Sequence, residues 1–359
     1  VVNSTASTSA YTLQYLRYQV ILFLAMILAA CLIQSRRDLV RVASVALAMA
    51  CATAVASIWQ NIDLMSAPLG ATTPQDVRFF DGRSVGLARS PVALATQLIL
   101  VLPPLIGVIL CVRWKRMTTR LALGGVVLLL AVGLSLSLTR SAIFGFAPAL
   151  LVIAWYVRGY GRVIILGALV AGVAIFMLGE STGLLGRRLY KNAEDDRSAA
   201  SHQALLQVAF AVALDQGLVG IGNENFEEVS LSYIGAADGS EETNVGVKAI
   251  GVDRPHNDFL SVWLSWGVLA LVAYLGIFFG TLRNFRIAAR SPDALVRGLS
   301  VGSIGGIVVY AVNSSFHNSM DNSLVLWLYA GLSITLVRLA GVPLPHPRRP
   351  VAPLRFHRS

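Results

Sequence analysis

The stretch DRPHNDFLSVWLSWGVLALVAYLGIFFGTLRNFR, residues 253–286, decides the fold. Its middle, residues 259–282, carries no charged side chain, and Arg283 and Arg286 follow it directly. A helix of about 20 mostly apolar residues crosses a bilayer core, so this segment reads as one membrane span with a polar entrance and a basic exit. The same test along the chain gives nine spans, near residues 16–33, 39–59, 92–112, 121–138, 142–157, 163–179, 259–282, 298–313 and 323–341. Composition agrees. Of 359 residues, 55% are hydrophobic and 13% charged, whereas soluble domains are about 25% charged. The expected architecture is an all-α polytopic membrane domain over residues 1–341, with a basic tail at 342–359.

Lys and Arg are retained on the cytoplasmic side of short loops, so they orient the spans. Alternate connections, from the Arg36, Arg37 and Arg41 loop to the Arg338 end and tail, hold 18 of the 29 basic residues. The N-terminus is expected outside and the C-terminus inside. Two long connections, 61–91 and 180–258, then face outward, and the Pro- and Arg-rich tail lies near cytoplasmic headgroups. The chain begins at Val1 with no basic n-region or cleavage site behind it, which reads as no signal peptide and an upstream part missing. No repeat of fixed period is visible.

Charge and cysteine usage exclude several functions. The formal net charge of +10 lies between spans rather than on one face, so nucleic acid is not an expected partner. Cys31, Cys51 and Cys111 sit inside apolar segments without CxxC spacing, which argues against a disulfide framework or zinc site. GLVGIGNENF, from Gly217, follows a helical pattern and reads as a turn rather than a nucleotide fingerprint. Within 180–258 the repeat of Leu205, Leu206, Ala209, Val212 and Ala213 predicts an amphipathic helix on the membrane surface, capped at Ser198 or Ser201 and stopped at Gly217. Glu194, Asp195 and Asp196 supply oxygen ligands of the kind hard cations take, although acidic runs usually form solvated faces.

Connection 180–258 has thirteen acidic and six basic residues. Bulk attraction cannot hold an anion there, so a phosphate site needs individually placed arginines. Arg140, in LSLSLTRSAIFG, stands at the outward end of two spans, flanked by Thr139 and Ser141. It reads either as an anchor reaching headgroups or as an anion ligand. Arg197, at the start of the amphipathic helix beside Asp195 and Asp196, reads equally as a solvated cation or a ligand. His256 adjoins Arg254, Asn257 and Asp258 at the outer boundary of the span carrying Trp263 and Trp266. A lone histidine is usually structural, but an imidazole with an ordinary pKa of about 6.5 can take a proton from a sugar hydroxyl. His317, Asn318 and Asp321, in NSSFHNSMDN, lie on the same side and can orient His256 or line its cavity.

At these residues the chain resembles the O-antigen ligase and polymerase superfamily of bacterial envelope glycosyltransferases. In that family a His-Asn pair opens a transmembrane helix after a long periplasmic loop; after nine residues comes Gly and, three further on, Gly, Thr or Tyr. His256, Asn257 and Gly267 match, and Ala270 departs. An arginine after an outward-ending span matches Arg140; an arginine before a loop helix leading to a GxGxxNF-like turn resembles Arg197 with GIGNENF. The resemblance covers roughly residues 120–340. It implies a GT-C-type fold of twelve spans, of which nine remain here, in the bacterial inner membrane with its active site facing the periplasm. It implies transfer of a glycan from undecaprenyl diphosphate to a hydroxyl: lipid A-core for a ligase, another lipid-linked unit for a polymerase.

In that setting His256 is the expected base, with Asn257 or Asp258 orienting it, and Arg140 and Arg197 hold the diphosphate. Arg254, His317 and Asp321 support the site. The leaving diphosphate is already anionic, so no metal or other cofactor is expected, and direct displacement inverts the anomeric centre. The short cytoplasmic tail, in place of a large periplasmic domain after the last span, argues against a member that uses Ser or Thr of a protein as acceptor, and ligase is preferred over polymerase. A transporter of small anions is the rival class. It is disfavoured because the ionisable residues gather at one face rather than across the membrane.

Overall fold

A computed structural model describes residues 6–61, 83–88, 90–157, 159–169, 193–222, 225–237, 255–317 and 325–341, with side chains except at 6–16, 18, 19, 193–202 and 234–237. These residues form helices and turns and no strand. Nine helices coincide with the expected spans: α1 (Ala6–Leu32), α2 (Arg36–Asn61), α3 (Pro91–Cys111), α4 (Met117–Leu136), α5 (Arg140–Tyr156), α6 (Tyr160–Leu169), α9 (Asp258–Ala288), α10 (Ala294–Ser314) and α11 (Val325–Ala340). The expected span at 163–179 is described only to residue 169. Helices α2, α3, α4, α9 and α10 are long and apolar enough to cross a membrane. Trp155, Leu269 and Val272 stand exposed on the flanks, the inverse of a soluble surface. The described residues are all helices and turns, and their long apolar helices are those of a multi-pass membrane protein.

Helix α10 is the central post, buried from Val296 to Ser314 on most of its faces, and it packs on α3 and α5. Lipid tails are as apolar as leucine, so helices in a bilayer associate through close fit and polar ties. Here the fit is backbone to backbone. A Cβ on Gly107 would lie 2.2 Å from the Gly298 carbonyl oxygen, and one on Gly302 would lie 2.3 Å from that of Pro103. Pro103 and Pro104 remove two amide donors from α3 and so release the carbonyls of Ile99 and Leu100. The Tyr329 hydroxyl of α11, fully buried, donates to them at 2.9 and 3.3 Å. That satisfies backbone groups that hydrocarbon would leave bare.

Two further helices lie beside the bundle, α7 (Ala193–Gln216) and α8 (Phe226–Ala237). The helical spacing is correct and Gly217 ends α7 as expected. Its covering differs from the expectation of a membrane-surface helix. Leu205, Val208, Ala209, Val212 and Ala213 are buried against Phe226, Val229 and Tyr233 of α8 and Leu260, Trp263 and Leu264 of α9, because those elements present a matching apolar face. Leu206 is only partly buried. The caps also differ: α7 begins at Ala193, which places Ser198 and Ser201 inside it. Glu194, Asp195 and Asp196 likewise lie within this helix.

Helix α9 is broken at Gly267, with φ 81° and ψ 176°, a conformation essentially reserved for glycine. The turn after α7 fills the break. Ile221 N–H donates to Leu264 O at 2.7 Å and Val268 N–H to Gly217 O at 2.9 Å, while Trp263 Nε1 donates to Gly217 O at 3.0 Å. A Cβ on Gly267 would lie 2.6 Å from Leu218 O. Residues 217–222, the described start of GLVGIGNENF, are therefore a turn, and their backbone replaces the hydrogen bonds that the break removes from α9.

Candidate functional site

Three turns meet at one end of the bundle. The first joins α4 to α5: the Ser137 hydroxyl donates to Leu134 O at 2.6 Å and accepts from Thr139 N–H at 3.2 Å. Leu138 is thereby held at φ +50°, and the exposed Arg140 becomes the first residue of α5. The second opens α9. His256 is at φ +47° and partly buried; Asn257 caps the helix, accepting from Leu260 N–H at 3.0 Å. The third follows α10 and carries Ser315, Phe316 and His317. Among the described residues, Leu138 and His256 are the non-glycine residues with positive φ. Such backbone costs of order 1 to 3 kcal/mol and persists where surrounding structure imposes it.

Polar side chains tie these turns together. Ser141 Oγ donates to Asn313 Oδ1 at 2.9 Å, both buried, which links the Arg140 turn to α10. Two residues on, Asn257 Nδ2 donates to Ser315 O at 3.1 Å, linking the His256 turn to the same helix end and bringing His317 beside it in the chain. Asp258 is fully buried and accepts from the Tyr310 hydroxyl at 3.5 Å, itself 3.3 Å from the Tyr274 hydroxyl. The structure thus gathers Arg140, His256, Asn257, Asp258 and His317 at one end. Arg254, Asn318 and Asp321 lie outside the described residues, and of Arg197 the structure describes only its backbone, in the second turn of α7.

One residue that sequence reading passed over joins them. The strap 83–88 is stitched to the end of α2: Gln60 Oε1 accepts from Val85 N–H at 3.1 Å and Gly86 N–H at 3.0 Å, and Ser84 Oγ donates to Ser57 O at 3.0 Å. Ser84 N–H also donates to Leu136 O at 3.1 Å. This fixes Arg83, whose Nε donates to Ser137 O at 3.0 Å and whose second terminal nitrogen donates to Thr139 Oγ1 at 3.3 Å. Burial, and then the neighbouring charge of Arg140, pull the Arg83 guanidinium below its ordinary arginine value. The available sequence signal was a basic residue on the sparsely basic side, eight residues before a span.

An imidazole at the same end of an apolar bundle as two guanidinium groups can accept a proton while fixed cations hold an anion. The described residues contain no group of three or more His, Cys, Asp and Glu side chains placed to hold a metal. Residues 125–275 match the family model described as O-antigen ligase. No curated protein matches the chain. The matched segment runs from α4 through the Arg140 turn, α7 and its following turn to His256 and the break at Gly267, the same residues and order that carried the resemblance in sequence. Members of this family are membrane glycosyltransferase-like enzymes of ligase or polymerase type acting on lipid-linked glycans. The match over residues 125–275 supports the O-antigen ligase and polymerase superfamily for that segment of the chain.

Proposed function

We propose that the protein is an O-antigen ligase of GT-C type in the bacterial inner membrane, transferring a glycan from undecaprenyl diphosphate to a sugar hydroxyl of lipid A-core at the periplasmic face. The observation that carries this reading is the pair of ties, Ser141 to Asn313 and Asn257 to Ser315, which hold the Arg140 and His256 turns, both inside the family-matched segment, on one end of α10. The lipid donor lies with its diphosphate at headgroup depth, paired with Arg140 and Arg197. His256 takes the proton of the acceptor hydroxyl as that oxygen attacks the anomeric carbon. The bond to the diphosphate breaks on the opposite side, and the configuration inverts.

Asn257 is engaged with backbone at both ends of its carboxamide, so its role is to set the turn. Asp258, Arg254, His317 and Asp321 are assigned to support of the imidazole and the cavity. The leaving group departs with its charge on guanidinium partners, and the reaction needs no metal. The test is incubation of the purified protein with lipid A-core and an undecaprenyl-diphosphate glycan, read as a shift of the lipid A-core band. Loss of turnover with EDTA and recovery with Mg²⁺ or Mn²⁺ would remove the metal-free step. Donor binding that survives replacement of both Arg140 and Arg197 by Ala would remove the diphosphate assignment. Lengthening of the lipid-linked glycan without lipid A-core would make it a polymerase, and solute flux without any glycan a transporter.

A further inference from the structure

We propose that the turn after α7 is a membrane-inserted edge: Leu218 and Val219, with Phe210 and Leu214 of the helix before them, lie among the acyl chains of the leaflet at the His256 end of α9. The partner is a lipid surface, and the inference stands whether or not the donor reading above holds. Helix α7 has two apolar stripes. One is packed on α8 and α9. The other, Phe210, Leu214 and Leu218, recurs every four residues and so runs along one face. All three are exposed, and Leu218 and Val219 keep 80% and 81% of their surface. A group of exposed apolar side chains of this kind marks an interaction surface. Seven residues before Phe210 and Leu214, on the same face, stand Gln203 and Gln207, also exposed. The face therefore changes from polar to apolar toward the turn.

Depth decides what covers it. The turn is fixed to α9 by Val268 N–H donating to Gly217 O at 2.9 Å and Ile221 N–H to Leu264 O at 2.7 Å, and a Cβ on Gly267 would lie 2.6 Å from Leu218 O. From Val268 to Leu282, just before Arg283, α9 rises about 22 Å, against a hydrocarbon core of about 30 Å. Arg283 marks one boundary of that core, so the turn lies about 5–10 Å inside the other, the depth of an interfacial apolar face. Leu269 and Val272 follow on the same span and are exposed, and the stripe of α7 continues their surface. Non-helical backbone is tolerated at this depth where protein satisfies it, and the bonds to α9 do so for Gly217 and Ile221. The polar side chains of the last turn of α7 are engaged off the stripe: the Tyr233 hydroxyl donates to Asp215, and Gln216 Nε2 donates to the Tyr233 hydroxyl at 3.3 Å.

The test places a nitroxide on one introduced cysteine at a time, in the full chain with Cys31→Ala, Cys51→Ala and Cys111→Ala, in nanodiscs of phosphatidylethanolamine and phosphatidylglycerol. Oxygen collects among acyl chains and a nickel chelate stays in water, so the ratio of the two collision rates reports the medium each label meets. Leu218→Cys and Val219→Cys should meet oxygen more than nickel, and Gln203→Cys the reverse. Nickel in excess at Leu218→Cys puts the turn in water and overturns the proposal. Oxygen in excess at Gln203→Cys removes the edge, because the whole helix then lies in lipid. Low access of both relaxants at Leu218→Cys overturns it as well: spin–spin broadening that unlabelled protein dilutes away would mean that a second copy covers the turn, and no broadening that the chain covers it itself. If the cysteine-free chain does not fold, the unaltered chain decides, in the same nanodiscs with a lipid that carries a photoactivated carbene precursor on its acyl chain. Crosslinks mapped by mass spectrometry to residues 214–219 are expected, and none there overturns the insertion.

Discussion

The two ends of the helix bundle treat cationic side chains in opposite ways. At the end carrying the starts of α2 and α10, Arg36 Nε lies 3.1 Å from Asp293, Arg297 donates to Ser291 O at 2.9 Å, and Arg338 donates to the carbonyls of Ala30 and Ile33 that end α1. Arg36 neutralises a carboxylate, and Arg338 closes the last turn of α1, as expected of a cation at the negative end of a helix dipole. At the other end Arg83 is held by neutral oxygens and faces Arg140. The backbone there takes positive φ at Leu138 and His256, and the only polar cap among these turns that a side chain supplies to a helix is Asn257 on α9. One end is built for closure. The other keeps strained backbone and neighbouring cations, features that collect at sites of chemistry.

The largest effect expected from this contrast is at His256. Asparagine tolerates the left-handed backbone better than most residues, so His256→Asn removes the imidazole while keeping the turn. Glycan transfer should fall by about 10² to 10⁴, the usual worth of a general base, with an unchanged melting temperature. Transfer within a few-fold of the unaltered protein breaks the contrast between the two ends.

How much of this was legible depends on how far the deciding contacts are from the chain. The spans were readable because a bilayer imposes length and apolarity on each helix separately, as in residues 259–282. The His256 turn was readable because a polar cap followed by an apolar run is a local signal, and Asn257 does cap α9. Arg83 was not: nothing in its neighbours shows that Gln60 and Leu136 bring it to the Thr139 turn. The break at Gly267 was equally hidden, because a lone glycine is tolerated within a helix at about 1 kcal/mol. Only the docking of residues 217–221, far away in sequence, shows why the helix opens there. The covering of α7 failed for a related reason. A periodic stripe tells which face is buried and not what buries it.

The next largest effect is on folding of the site end. Gly267→Ala should destabilise the protein by about 3 kcal/mol or more, since a φ of 81° excludes side chains and the new Cβ would meet Leu218 O at 2.6 Å. The melting temperature should fall, and cleavage between α7 and α8 by added protease should accelerate as the turn detaches. An unaltered melting temperature would show that α9 closes into a continuous helix without cost. Asn257→Ala removes a cap and the tie to Ser315, and should cost about 1 to 2 kcal/mol. Asn257→Asp keeps the capping oxygen but loses the donor to Ser315 O, so it should retain part of the stability. Equal melting of the two variants would show that the tie, and not the cap, holds the turn.

The smallest effect is expected at the closed end, where the contrast is most easily broken. Asp293 does two things there: its Oδ1 accepts from Leu295 N–H at 2.7 Å and Val296 N–H at 3.2 Å, and its Oδ2 faces Arg36. The cap is local to α10 and is worth about 1 kcal/mol. The ion pair involves a well-exposed arginine and is worth about 0 to 1 kcal/mol, less in high salt. Asp293→Ala should therefore lower stability more than Arg36→Gln, and Asp293→Asn, which keeps the accepting oxygen, should behave like Arg36→Gln. None of the three should change glycan transfer at a temperature where the protein is folded, because the arginine is already neutralised by a residue of its own end. A loss of transfer in Arg36→Gln comparable to that in His256→Asn would mean that both ends serve the substrate, and the division of labour drawn between them would be wrong.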